Sequence, residues 1–144
     1  MSLVRHRLTV ATTAPIAVHD LTDAVAQWVQ GTGVRDGLLT VTSGHTTARI
    51  NVNESEPALE RDMVAFLERL APQGAGYGHD RAPVDGRRNA HAHLLGLLMS
   101  TTESIPVADG APLLGPWQRI LLVELDGPRP AREVLLQLIG DGPA

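Results

Sequence analysis

The sequence predicts an α+β fold, in which a mixed or mainly antiparallel sheet packs with two to three helices in a single compact domain. Three observations support this prediction. Two segments have apolar residues at helical spacing, several short runs are rich in strand-forming residues, and two nearly continuous apolar runs lie close to the C-terminus. A length of 144 residues suits one domain with its own core, so we assign residues 1–144 to one domain.

The first predicted strand and the first predicted helix lie near the N-terminus. Residues 3–12 have the composition of an opening strand. Asp20 is expected to cap the helix because a carboxylate accepts the free backbone N–H groups of a first turn. Gly31 is expected to end it. The apolar stripe of this helix consists of Leu21, Ala24, Val25, Trp28 and Val29.

Two strands and a second helix are predicted next along the chain. Residues 37–43 and 48–53 are strand-like, and the second of these segments alternates apolar with polar side chains. The turn that joins them contains His45, which should therefore lie at the end of a sheet. The helix that follows has Ser55 as its expected cap and Pro57 in its first turn.

The second half of the chain begins with a predicted long loop. Residues 71–88 are rich in glycine and proline, and loops of this length inside small domains are usually functional. Residues 90–99 are compatible with helix or strand, and their leucines favour a helix that begins near Asn89. Near-continuous apolar character predicts that the last two strands are buried on both faces. The predicted strands here are 103–107, 120–125 and 134–139.

Composition excludes several classes of function. The formal net charge of -4 and the aromatic content of 3% argue against a nucleic-acid partner. The chain has no cysteine, so thiolate zinc sites and cysteine nucleophiles are excluded. No segment resembles a secretory signal or is apolar enough to span a membrane, so we predict a cytoplasmic protein with no membrane partner.

Four of the six histidines are candidates for a functional site. Imidazole is the side chain best suited to hold a transition metal or to move a proton near neutral pH. His45 and the trio of His79, His91 and His93 all lie among small or polar residues, which are seldom used for core packing. The alternative interpretation is a turn residue at His45 and a solvated loop residue at His79.

The spacing of His91 and His93 gives them different expected roles. On a helix, residues two apart lie on nearly opposite sides, whereas on a strand both would share one face. The helix interpretation makes His93 the principal ligand and lets His91 contact a substrate or a neighbouring subunit. Asp80 follows His79 directly. We expect its carboxylate to accept a hydrogen bond from the ring nitrogen that does not bind the metal, as carboxylates commonly do beside metal-bound histidines.

Polar residues near these histidines are candidates for substrate binding. The hydroxyl of Thr46 and the amides of Asn89 and Gln118 offer hydrogen bonds, and His91 joins them. Arg129 follows a buried strand, where it is either a solvated turn residue or a holder of phosphate or carboxylate. Trp117 is expected to pack in a core that has few aromatic residues.

Seven short motifs occur in an order that resembles the YjbQ family, also called UPF0047. The resemblance covers nearly the whole chain and implies a compact α+β domain that assembles as a homotrimer. It also implies a histidine-lined, metal-binding pocket near the subunit contacts. The motifs are HTTA at 45–48, INVNE at 50–54, YGHD at 77–80, NAHAH at 89–93, IPV at 105–107, LGPWQ at 114–118 and ELDGPR at 124–129.

The activity that the resemblance implies is a secondary thiamine-phosphate synthase activity. This reaction joins a hydroxymethylpyrimidine diphosphate to a thiazole phosphate and releases pyrophosphate. The matching motifs make His45, His79 and His93 the expected catalytic and metal-binding histidines, with zinc as the expected divalent metal and a small phosphorylated metabolite as the partner. The alternatives are a non-catalytic trimer that binds a metal or a small anion, and a metal-dependent hydrolase.

A few positions depart from the family pattern. Leu95 stands where many relatives have lysine, which removes a cation that would steady a phosphate. Arg49 replaces a small residue, and Pro116 and Arg119 flank the tryptophan motif where threonine and glycine are common. Arg49 or Arg119 is a candidate to replace the missing cation.

Overall fold

Eight strands form two separate antiparallel sheets in the computed structural model, which describes residues 1–142. The prediction of an α+β fold with an antiparallel sheet is confirmed, but the strands are divided between two sheets. The strands are β1 (Ser2–Val10), β2 (Ala17–Asp20), β3 (Asp36–Ser43), β4 (Ala48–Asn53), β5 (Thr102–Ala108), β6 (Ala111–Pro112), β7 (Arg119–Glu124) and β8 (Arg132–Asp141).

The strands follow a different order in each of the two sheets. The larger sheet has the order β1-β8-β3-β5-β6, and the smaller one has the order β2-β7-β4. The turn containing His45 therefore leads from the larger sheet to the smaller one, so His45 lies at an end of the larger sheet. The strand β2 was not predicted, because four residues are too few to show an alternating pattern.

The two apolar runs near the C-terminus differ in burial. Strand β7 is buried at every position from Ile120 to Glu124, as predicted for a strand covered on both faces. Strand β8 instead alternates, with Val134 buried and Glu133 exposed. The prediction of burial on both faces was wrong for β8, since only one face of the larger sheet meets the core.

Three helices accompany the sheets. Their bounds are α1 (Thr22–Thr32), α2 (Pro57–Leu70) and α3 (Ala90–Gly96), and a short 3-10 helix covers Gly78–Arg81. The predicted helix near Asn89 is confirmed as α3, and the long loop before it is confirmed apart from the 3-10 turn. None of the helices within residues 1–142 is long and apolar enough to cross a membrane.

The ends of the first two helices differ in detail from the predictions. Asp20 Oδ1 accepts the backbone N–H of Thr22 at 2.9 Å, but the N-cap residue of α1 is Leu21, so Asp20 lies one residue before the predicted cap position. Helix α1 passes Gly31, where it was predicted to end, and continues to Thr32. Its C-cap is Gly33, whose φ of 74° is left-handed. Glu56, not Ser55, caps α2, because its carboxylate accepts the backbone N–H groups of the first turn.

A small apolar cluster fixes α2 and α3 against the smaller sheet. Leu67 of α2 and Leu95 of α3 pack with Val123 and Leu125 around the end of β7. Leu95 is 0% exposed, so it belongs to the core and contributes about 1.5–3 kcal/mol by burial. This cluster holds α3, with its two histidines, beside the segment that follows β7.

Candidate functional site

Asp126 is the anchor of the candidate site and lies two residues after the end of β7. Arg87 donates to both carboxylate oxygens of Asp126 at 2.8 Å, and Arg129 Nη2 donates to Oδ2 at 2.8 Å. Burial alone would raise the pKa of Asp126, but the hydrogen bonds from Arg87, Asn89 and Arg129 outweigh it and hold the pKa far below its ordinary range. Asp126 is therefore ionised throughout the physiological range.

The close approach of the backbone beside Asp126 depends on a glycine. A Cβ atom on Gly127 would lie 2.2 Å from the carbonyl oxygen of Ala14, which is far inside van der Waals contact. The backbone N–H of Gly127 donates to the carbonyl oxygen of Pro15 at 3.0 Å. A larger residue at position 127 would push the Asp126 segment away from the loop at residues 14–15.

Asn89 connects Asp126 to His79. Its side-chain Nδ2 donates to Asp126 Oδ2 at 2.8 Å, and an ionised carboxylate only accepts hydrogen bonds, so the orientation of the amide is fixed. The amide oxygen Oδ1 consequently faces His79 Nε2 at 2.9 Å, and Nε2 must carry the proton. In the neutral imidazole, the lone pair is then on Nδ1. We call these three residues the Asp126–Asn89–His79 chain.

His93 lies beside this chain. Its ring meets the ring of His79 edge to face, with centroids 5.1 Å apart and an angle of 79° between the planes. Helix α3 carries His93 toward His79, and His91 lies two residues away on nearly the opposite side of the helix. The structure thus brings His79 and His93 together and leaves His91 on another face, where it is buried.

Asp80 does not orient His79 as predicted. Its Oδ1 accepts the backbone N–H of Ala90 at 3.0 Å, at the start of α3, and its Oδ2 is buried with no hydrogen-bond partner among residues 1–142. Asn89 takes the orienting position instead. The sequence did not reveal this, because an aspartate directly after a histidine is a more familiar orienting partner than an asparagine ten residues later.

His45 is engaged with the backbone of β8. Its Nε2 accepts the N–H of Glu133 at 2.8 Å, so the neutral ring carries its proton on Nδ1. Burial lowers the pKa of His45, and the nearby charge of Arg132 lowers it further. In this geometry His45 offers a hydrogen-bond donor, while its Nε2 lone pair is already used.

The described residues of one chain do not bring three metal ligands together. Among residues 1–142, no three histidine, aspartate or glutamate side chains come together in a way that could hold a metal ion. The predicted trio of His45, His79 and His93 therefore does not fit a three-ligand site within a single chain. His79 and His93 are the pair that lies close together.

A second buried carboxylate, Glu124, lies at the end of β7. Arg132 donates from Nε to Glu124 Oε2 at 2.8 Å and from Nη2 to Oε1 at 2.5 Å. Thr12 also donates to Oε2, at 2.7 Å. Arg132 Nη2 donates in addition to Thr47 Oγ1 at 3.0 Å. Burial would raise the pKa of Glu124, but the hydrogen bond from Arg132 and those from neighbouring groups lower it.

The Glu124–Arg132 pair was not predicted, although the sequence contains a signal for it. Glu124 interrupts a run that was expected to be buried on both faces, and a charged residue in such a run needs a partner inside the protein. The Glu124–Arg132 pair ties the Thr47 loop to the smaller sheet. It thereby supports the segment that carries His45.

The other predicted site residues are spread over the molecule. Arg129 donates to the carboxylate and the backbone oxygen of Asp126, so it belongs to the Asp126 network. Thr46 is exposed beside His45. Gln118 accepts the backbone N–H of Gly115 at 2.7 Å within the turn before β7. Trp117 is 72% exposed, so the prediction that it packs in the core was wrong for this chain.

The fold and this site define an α+β domain with two antiparallel sheets and a pair of histidines, one of which is oriented by a buried carboxylate through Asn89. Residues 6–141 match the family model described as UPF0047 protein YjbQ-like. The chain belongs to the YjbQ/UPF0047 family, and the resemblance noted from its motifs is confirmed.

Similar proteins span the same length. A UPF0047 protein of Archaeoglobus fulgidus is 41% identical over 131 residues, which cover 91% of this chain and 98% of that protein. The UPF0047 protein YugU of Bacillus subtilis is 30% identical, over 92% of this chain and 97% of its own length.

Solved structures of two archaeal proteins have the same fold. A YbjQ-like protein of unknown function from Sulfolobus solfataricus superposes with a TM-score of 0.91 at 31% identity, covering 97% of this chain and 99% of that one. A hypothetical protein from Aeropyrum pernix gives a TM-score of 0.89 at 41% identity, covering 96% and 99%.

Proposed function

We propose that this protein acts on a small phosphorylated metabolite at the His79–His93 pair, with a secondary thiamine-phosphate synthase activity as the reaction to test first. The observation that supports this proposal is the Asp126–Asn89–His79 chain. It fixes the tautomer of His79 and leaves Nδ1 with a lone pair, as a residue that accepts or transfers a proton requires. The choice of reaction rests on the family resemblance.

Charge near the site suits an anionic substrate. Arg87 and Arg129 share the single carboxylate of Asp126, so the network has one positive charge more than it has negative charges. A local excess of positive charge attracts a phosphate group and stabilises a departing one. These guanidinium groups are already oriented by Asp126, so they lose little freedom when an anion binds.

In the proposed reaction, the bond between the pyrimidine methylene carbon and the diphosphate oxygen breaks, and a bond from the thiazole nitrogen to that carbon forms. The arginines near Asp126 would stabilise the charge that builds on the released pyrophosphate. His79, once a proton has been taken up on Nδ1, or a protonated His93 would donate that proton to the leaving oxygen. His45 would present its Nδ1–H to a substrate oxygen.

The test is formation of thiamine phosphate from the two phosphorylated precursors by purified protein. We expect His79→Gln and His93→Gln each to lower the rate about 100-fold or more, the size of effect that acid–base groups contribute. His6→Gln is the matched control, because His6 lies on β1 against Trp28 and outside the site. Equal rates for all three variants would refute the proposal.

A second candidate function is metal binding without catalysis. It is favoured by the free lone pair on His79 Nδ1, which lies beside His93. Together the two imidazoles offer two of the ligands that a divalent ion such as zinc needs. The remaining ligands would come from outside the chain, and the resemblance proposes a homotrimer as their source. Metal analysis after chelation and reloading tests this, and stoichiometric zinc in His93→Gln would contradict it.

A further inference from the structure

Two adjoining cavities lie on the side of α3 opposite His93. One has a volume of about 330 Å³ and is lined by Arg87, Arg88 and Asp126, among others. The other has a volume of about 250 Å³. Both are lined by Pro15, Gln73 and His91, so we treat them as one site and call it the His91 cavity.

His91 is unusual among the buried polar residues of this chain. It is 5% exposed, and its Nδ1 is buried without a hydrogen-bond partner within residues 1–142. A buried polar nitrogen without a partner costs about 1–3 kcal/mol, so such groups are generally retained where something else satisfies them. His91 lines both halves of the cavity. Its Nδ1 has almost no accessible surface in this structure, so the ring would have to turn for Nδ1 to reach a molecule bound there.

The wider half of the cavity is positively charged. Arg88 is exposed and makes no ion pair within the described part of the chain. Arg87 and Arg129 outnumber the carboxylate of Asp126, to which they are bonded. The guanidinium of Arg88 is therefore free to bind an anion in a region where positive charge exceeds negative charge.

The narrower half of the cavity is more apolar than the wider half. Its walls include Ile16, Ala71 and Pro72, and the carboxylate of Glu68 is exposed at its edge. Apolar walls favour the burial of a ring or an alkyl group, and the Glu68 carboxylate disfavours a second anion there. The two halves together fit a molecule with a phosphate at one end and an apolar body at the other.

We propose that the His91 cavity binds a small organic phosphate, with its phosphate on Arg88, its apolar body against Ile16 and Pro72, and the imidazole of His91 hydrogen-bonded to it. The His91 cavity and the His79–His93 pair lie on opposite sides of α3, and the Asp126 network, with Arg87, lies between them. The proposal does not rest on the proposed reaction, and it survives if no thiamine phosphate is formed.

The experiment is calorimetric titration of the full chain with phenyl phosphate and, separately, with inorganic phosphate. Phenyl phosphate is expected to bind at least about tenfold more tightly, because only its ring reaches the apolar walls. Arg88→Ala is expected to weaken phenyl phosphate binding about tenfold or more, since it removes a charged hydrogen bond. Arg69→Ala, which removes an exposed arginine of α2 outside the cavity lining, is the matched control and should bind like wild type.

Two further variants separate the two sites. His91→Gln should also weaken binding, and Arg88→Ala carries the test if that variant fails to fold. His79→Gln should bind phenyl phosphate as wild type does. Absence of binding, equal affinity for the two probes, an equal effect of Arg88→Ala and Arg69→Ala, or loss of binding in His79→Gln would each overturn the proposal.

Discussion

Glu124 and Asp126 are two residues apart, and the networks around them differ in where they end. Both carboxylates are bonded to arginine, and both have lowered pKa values. The partners of Glu124, namely Arg132, Thr12 and the backbone N–H of Asp126, are all inside the protein. The partners of Asp126 lead outward through Asn89 to His79, which is exposed.

The Glu124 network therefore stabilises the fold, whereas the Asp126 network, two residues away, leads to the candidate site. A buried ion pair whose atoms are all satisfied by protein groups has nothing left for a ligand, so it acts on stability and on the position of its neighbours. A network that ends on imidazoles with free nitrogen atoms retains the capacity to bind or to transfer a proton. Substitutions in the two networks should therefore differ in which property they change.

The largest expected effect is on stability, from Glu124→Gln. This change leaves Arg132 buried, at 2% exposure, without a compensating charge. Breaking a buried ion pair in this way costs about 3–5 kcal/mol, which urea denaturation monitored by circular dichroism would measure.

Glu133→Gln is the matched control for that substitution. Glu133 pairs with Arg7 at 3.2 Å on the exposed surface of the larger sheet. Its replacement should cost at most about 1 kcal/mol. If Glu124→Gln were no more destabilising than Glu133→Gln, the structural role assigned to Glu124 would be wrong.

A smaller effect on stability, with a larger one on the site, is expected from Asn89→Ala. The variant removes one hydrogen bond to Asp126 and the acceptor that fixes His79 Nε2, so we expect a loss of about 1–3 kcal/mol. Nitrogen-15 NMR of the His79 ring should show the proton shifting from Nε2 toward a mixture of tautomers. Asn53→Ala, at an exposed position, should change stability by less than about 0.5 kcal/mol and leave the His79 spectrum unaltered.

Unaltered His79 resonances in Asn89→Ala would show that Asn89 does not set the tautomer. The Asp126–Asn89–His79 chain would then be a structural contact only. The Asp126 network, like the Glu124 network, would then have only a structural role.

Most of the elements were predictable because their signals are local. The alternation of β4, the stripe of α1 and the Pro57 start of α2 depend on neighbouring residues, and the structure confirms these elements. The division of the strands into two sheets was not predictable, because it depends on pairing between distant segments. The same applies to β8, whose apolar run resembles that of β7 although only one of its faces is buried.

The site was predictable at the level of residue types and less so at the level of contacts. The opposite placement of His91 and His93 followed from helix geometry, since two residues rotate a side chain by more than half a turn. The pairing of Asn89 with both Asp126 and His79 did not, because these residues are 37 and 10 positions apart from it. Sequence spacing gives no information about which distant carboxylate a buried amide will meet.

The smallest expected effect concerns His91, whose contribution to stability should depend on pH. Burial is the main cause that lowers the pKa of His91, and His93 lowers it further, whereas Asp126 and Asp80 oppose these two. The folded state therefore binds fewer protons than the unfolded state, in which histidine has a pKa of about 6.5. The contribution of His91 to the free energy of unfolding is therefore fully present above that pH and is lost as the pH falls below it.

Denaturation between about pH 7.5 and about pH 5.5 would measure this dependence. Wild type should lose stability as the pH falls, and His91→Gln, which cannot be protonated, should lose less over the same range. The dependence that remains in the variant belongs in part to His45, whose pKa is also lowered by burial. If the free energy of unfolding changed equally with pH in the two proteins, protonated His91 would already have a partner in the folded state. His91 would then not need a ligand in the His91 cavity.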